Sequence, residues 1–154
     1  MIKENLKMTG SLEIAINGDT VCKTNNLVVT AGKEHVTARL KDNTTDGAMS
    51  SMAIGTSSAN PNDTAPNNAS GQTALGSEAA RDTFDSDADT SGANSIKFIT
   101  TFDAVGAGSD VIVTEAGIFN HATTGGTMLA RTVFGAVTKG ANDVMTITWT
   151  ITVS

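Results

Sequence analysis

From Met145 onward the large apolar residues fall on odd positions: Met145, Ile147, Trp149, Ile151 and Val153. The even positions Thr146, Thr148, Thr150 and Thr152 are all threonine. A two-residue period puts the apolar set on one face of a strand and the hydroxyls on the other. The density of β-branched residues suits a pleated, half-buried surface. The pattern predicts a strand held in a sheet to the last residues of the chain.

The same period recurs upstream. In "SLEIAINGDTVCKT", Leu12, Ile14 and Ile16 alternate with Glu13 and Ala15, and Asn17-Gly18 has the chemistry of a tight hairpin turn. Val21 begins the predicted return strand. "AMSSMAIGTSS" reads as a buried strand from Met49 to Gly55. "SIKFITTFDA" sets Ile96, Phe98, Thr100 and Phe102 against Lys97, Ile99 and Thr101. "DVIVTEAGIFN" and "TMLARTVFGAVT" follow, joined by "HATTGG", and the closing strand comes after "KGAND".

One stretch changes period. In "VVTAGKEHVTARLKD", Val29, Val36 and Leu40 share a helical face, with Gly32 and Lys33 near it. This predicts one amphipathic helix near residues 31–41, with Thr30 as its N-cap and an imperfect capping box. Residues 57–94 are polar and contain both prolines, Pro61 and Pro66. Such a loop cannot bury enough surface to fold alone. Leu75 and Phe84, its large apolar residues, are the predicted anchors. The fold expected is mainly β: an antiparallel β-sandwich or jelly-roll-like single domain over residues 1–154, with one helix and one long polar loop. Residues 1–10 are a candidate extended arm.

Composition narrows the function classes. A chain of 154 residues suits one domain with a real core. The net charge is −6, and the ten basic residues are scattered. Nucleic-acid binding needs clustered cations that displace counterions from phosphates, so no nucleic-acid partner is expected. No apolar run approaches the ~20 residues of a spanning helix, so no membrane partner is expected either. "MIKENLKMTG" lacks the apolar stretch of a signal peptide, which predicts synthesis in a cytoplasm without signal-peptide-dependent export.

Candidate chemistry is sparse. Cys22 is the single cysteine, so no internal disulfide and no multi-cysteine zinc site can form, and it reads as a small residue on a strand. His35 and His121 lie in a predicted helix and a predicted turn without metal-ligand spacing, and both are expected to be solvated. Asp85, Asp87 and Asp89 have the alternate spacing of a calcium loop, but position six is Thr90 and position twelve is Ile96. A solvated acidic loop is the expectation there, with Asp82 and Asp85 also able to meet arginines of a neighbour. No catalytic residue, metal ligand or cofactor site is assigned, and an enzyme is not expected. Glu115 and Arg131 stand among strand residues, where charges are seldom buried unpaired. A salt bridge between neighbouring strands that fixes their register is predicted.

Several segments carry a likeness. "MAIGT" (Met52–Thr56), "TALGSEAAR" (Thr73–Arg81), "TEAGIFN" (Thr114–Asn120), "GTMLAR" (Gly126–Arg131) and "TITWTI" (Thr146–Ile151) are the segments concerned. In these the chain resembles a family of small tailed-bacteriophage virion proteins. The resemblance implies a virion structural protein, a capsid cement or decoration protein on the capsid exterior. It would bind the major capsid protein, bridge its subunits and form a homo-oligomer, a dimer or trimer. Related patterns in tail-fibre and collar proteins leave a tail-fibre, collar or baseplate adaptor as the alternative.

Overall fold

The computed structural model describes residues 6–41, 45–57, 71–85 and 94–154. The hairpin at the amino-terminal end forms as its pattern predicts. Strands β1 (Met8–Ile16) and β2 (Asp19–Val28) pair antiparallel. The turn between them has φ of 51° at Asn17 and 90° at Gly18. Two successive positive φ angles match the right-handed twist of the flanking strands. Met8–Gly10, expected in the arm, belong to β1, and Lys7 exchanges backbone hydrogen bonds with Ser154 at 2.7 and 2.9 Å. Residues 1–5 of the arm lie outside the described residues.

The chain then runs through helix α1 (Thr30–Leu40) and strands β3 (Ser51–Gly55), β4 (Glu78–Thr83), β5 (Ser95–Phe102), β6 (Val111–Phe119), β7 (Met128–Lys139) and β8 (Met145–Val153). All eight strands form one sheet in the order β4-β3-β6-β7-β2-β1-β8-β5. Its pairings are all antiparallel. The two layers expected of a sandwich are the two halves of this sheet. Their strand ladders join where Leu27 and Val28 of β2 meet Arg131 and Ala130 of β7. At the other margin the sheet nearly closes into a barrel. There Asp85 N donates to Ile99 O (2.9 Å), Thr101 Oγ1 donates to Asp85 Oδ2 (2.8 Å), and the rings of Phe84 and Phe98 approach to 4.8 Å. Closure of this kind leaves little free strand edge.

The core lies between the two halves. The odd residues of β8 fill its centre: Met145, Ile147 and Trp149 are fully buried. They pack with Leu12 and Ile14 of β1 and Phe98 and Phe102 of β5. Trp149 Nε1 donates to Asn26 Oδ1 at 2.8 Å, so the largest core side chain keeps its one polar atom satisfied.

Three expectations are corrected. The stretch 57–94 is not loop throughout, because Glu78–Thr83 is strand β4 on the edge of β3. Its residues are almost all exposed, so no alternating apolar pattern marked it. The helix spans Thr30–Leu40, its N-cap is Val29, and no side chain caps it. Thr30 is already helical because Val29, whose N–H donates to Leu129 O (3.1 Å), leads the chain directly from the sheet into the helix. The buried face of α1 is Gly32 and His35, while Leu40 is 80% exposed. The reason is close packing: a Cβ on Gly32 would overlap the Leu129 carbonyl on β7. The helix therefore lies backbone to backbone against the sheet and turns Leu40 away.

This packing makes a prediction opposite in sign to helix propensity. Gly32→Ala should stabilise an isolated helix by about 1 kcal/mol. In the folded chain the new methyl meets rigid backbone, and overpacking of that kind costs about 1–3 kcal/mol. A net loss of stability in urea denaturation is expected, and a gain would contradict this account of the helix.

Candidate functional site

Two of the charged residues singled out from sequence, Glu115 and Arg131, form one buried centre. Glu115 on β6 and Arg131 on β7 are about 0% and 1% exposed. The register sets Gly117 opposite Arg131 and Glu115 opposite Val133, so the pair is diagonal across adjacent strands. Arg131 Nε and Nη2 both donate to Glu115 Oε2, at 3.0 and 2.5 Å. The predicted inter-strand salt bridge is present.

The carboxylate does more than pair. Gly76 N donates to Oε2 at 2.9 Å, and Ser77 N donates to Oε1 at 2.8 Å. Ser57 N approaches Oε1 at 3.4 Å. Glu115 thus holds both ends of the 57–77 stretch against β3 and β6. Gly55 makes room for this, because a Cβ there would come within 2.5 Å of Glu115 Oε1. Leu75, one of the predicted anchors, is buried beside Phe119 and Met128. The other anchor, Phe84, packs on the main core.

A second centre, not foreseen in the sequence, lies on β4. Arg81 is 3.9 Å above the Phe119 ring. Its Nε and Nη2 donate to the two carboxylate oxygens of Glu78 at 2.9 and 2.7 Å. Its Nη1 donates to the carbonyls of His121 and Gly125, both at 2.9 Å. One side chain therefore ties the edge strand to the β6–β7 turn. A planar fork with five donors can do this and an ammonium cannot. The missed signal was Glu-x-x-Arg in a stretch that reads as loop.

The remaining candidates take structural places. Asp85 accepts from the Thr101 hydroxyl and backbone at the barrel margin, at 2.8 and 3.3 Å. Its carboxylate is engaged there, and Asp87 and Asp89 lie outside the described residues. Asp82 Oδ1 accepts from Thr83 N (2.7 Å). Among the described residues no group of three or more metal-ligating side chains comes together. Cys22 is half-buried on β2, and burial pushes its thiol up, away from the nucleophilic thiolate. His121 is exposed as expected. His35 is not: it is buried under α1, where Nδ1 has no hydrogen-bond partner among the described residues. The helix period alone did not show that the approach at Gly32 would carry His35 inward.

Two surface features remain. A largely apolar groove of about 600 Å³ runs between α1 and the ends of β1, β5 and β8, lined by His35, Val36, Met8, Phe98 and Ile151 among others. The outer face of the β2-β1-β8-β5 half carries the threonines of β8, all half-buried, beside Ser11, Glu13 and Lys97. On it Glu13 pairs with Lys23 at 2.9 Å and accepts from Thr20 Oγ1 at 2.7 Å. The Thr20 hydroxyl, then Lys23, hold the Glu13 carboxyl below its ordinary value.

Comparisons with protein families, curated proteins and solved structures find no match. What this chain builds is therefore read from its own geometry. Glu115 with Arg131, and Arg81 with Glu78, clamp loops onto the sheet, and no helix among the described residues is long and apolar enough to cross a membrane.

The buried clamp has a measurable weight. Glu115→Gln leaves the Arg131 guanidinium in the core without its carboxylate, and a loss of about 3–5 kcal/mol in denaturant unfolding is expected. The double variant Glu115→Leu/Arg131→Met should recover part of this. Recovery stays incomplete because the Gly76 and Ser77 N–H groups still lack an acceptor. If the losses of Glu115→Leu and Arg131→Met alone added up to the loss of the double variant, the coupling would be refuted.

Proposed function

We propose that the chain is a capsid cement or decoration protein of a tailed bacteriophage. In this reading it binds the outer face of the shell, as a dimer or trimer, and bridges and stabilises neighbouring major-capsid subunits. The work is done by shape and contact, with no reaction performed.

One observation carries the reading. The segments through which the chain resembles phage virion proteins supply the parts of the two clamps. "TEAG" and "MLAR" provide Glu115 and Arg131, and "TALGSEAAR" provides the backbone donors Gly76 and Ser77 together with Glu78 and Arg81. "MAIGT" provides Gly55, which leaves room for the carboxylate. A motif whose polar side chains are used up in holding loops to a barrel favours a rigid building block over a site that turns over a substrate. Net charge −6 suits an exterior position away from packaged DNA. The half-buried threonine face offers hydroxyls and methyls with few charges to desolvate, which suits a repeated contact. On a shell such contacts are arrayed, so individually weak interfaces add through multivalency.

The test is made on virions of a phage that encodes the chain. Quantitative mass spectrometry is expected to find hundreds of copies per particle. Particles lacking the chain should release DNA on mild heating or chelation yet still adsorb to cells. A small, ring-sized copy number, with sound heads and failed adsorption, would replace this reading with a tail-fibre, collar or baseplate adaptor.

A further inference from the structure

The β1–β2 turn meets the β7–β8 turn at one end of the barrel, and Asn17 joins them. Its backbone N donates to Val144 O at 2.9 Å. Its side-chain Nδ2 donates to Asp143 Oδ1 at 2.7 Å, and its Oδ1 accepts from Val144 N at 3.0 Å. Asp143 Oδ2 in turn accepts from Gly140 N at 2.8 Å. Both ends of the amide are used, and the chemistry fixes its direction. The carboxylate can only accept, and the Val144 N–H can only donate. Both Asn17 and Gly18 are exposed to solvent.

An amide is needed here, and glycine follows it. Glycine has no side chain to hinder attack by its own backbone nitrogen on the preceding amide carbon. We propose that Asn17 is a deamidation site gated by this latch. In the step, Gly18 N loses its proton and bonds to Asn17 Cγ. The Cγ–Nδ2 bond breaks, and ammonia leaves with the proton. Solvent water then adds to either carbonyl of the cyclic imide. One opening gives aspartate at position 17. The other gives isoaspartate, in which the backbone runs through the former side-chain carbon.

The latch governs both the rate and the consequence. The amide must leave Asp143 and Val144 before Cγ can turn back over Gly18 N, so the closed turn protects itself. Once hydrolysed, position 17 has no N–H to offer Asp143 and faces it with a like charge at hydrogen-bond distance. Isoaspartate also adds a backbone atom to a two-residue turn whose geometry sets the strand register. The modified latch therefore stays open. The Asn17 amide, followed by the Gly140 N–H, now holds the Asp143 carboxyl below its ordinary value, and that support is what deamidation removes. The inference is independent of any place in a virion.

The experiment uses the full chain at mildly alkaline pH, with peptide mapping of Asn17 over time. A free peptide spanning residues 11–23 should convert fastest. Folded Asp143→Ala should convert about tenfold faster than the folded wild type, the factor for losing one charge-assisted hydrogen bond. Equal rates in the two folded proteins, or no conversion in either, would overturn the proposal. Asn17→Asp supplies a second readout that does not depend on the Asp143 variant. Its Tm should fall below wild type at neutral pH, and the gap should close as pH drops into the carboxylate range, where the two carboxyls can share a proton. A gap that is absent, or the same at every pH, would overturn it.

Discussion

The interaction on which the rest depends is the buried contact between Glu115 and Arg131. Two unit charges in a core are costly unless each is fully partnered. Here the guanidinium and two backbone N–H groups within 3.0 Å neutralise one carboxylate. The contact fixes the register of β6 on β7, because a one-residue slip would turn one side chain to the opposite face of the sheet, which is also buried here, and part the two charges. It also ties the 71–77 stretch to the sheet, which that stretch could not reach by hydrophobic burial alone. Leu75 is its one large apolar anchor.

The barrel is held differently in its middle and at its margins. In the middle, β8 lies between β1 and β5 and sends Met145, Ile147, Trp149 and Ile151 inward, so burial of apolar surface dominates. At the margins polar latches add to what apolar contact there is, such as that of Phe84 with Phe98. Asp85 with Thr101 holds the seam, Arg81 holds the β6–β7 turn, and Asn17 with Asp143 holds one end. Lys139, buried nearby, donates to the carbonyls of Asp103 and Asp143 at 2.9 and 2.8 Å. Such latches are directional and cannot slide, so they fix where the loops lie in a way an apolar core does not.

That division suits a molecule whose proposed task is to present a constant outline. Among the described residues, the 71–77 stretch, the β6–β7 turn and the β1–β2 turn are each anchored by side-chain hydrogen bonds, from Glu115, Arg81 and Asn17. What remains outside is a threonine-rich face, a sparse set of charges and an apolar groove beside the helix. A protein that adds rigidity to a lattice needs surfaces that keep their shape under load.

The sequence by itself determined the strands with a two-residue period, the Asn17-Gly18 turn, the buried face of β8 and the need for Glu115 and Arg131 to find each other. These follow from local rules: alternation, turn dihedrals, and the cost of an unpaired charge. Tertiary structure alone decided the rest. Strand β4 exists because β3 offers it an edge, and its exposed residues carry no periodic mark. The helix buries His35 and exposes Leu40 because Gly32 lets it approach the Leu129 carbonyl, a contact nearly a hundred residues away along the chain. The roles of Arg81 and Asp85 likewise appear only once distant carbonyls and hydroxyls are brought beside them. Pattern reports which side of an element is apolar, whereas a polar latch depends on what the fold places opposite it.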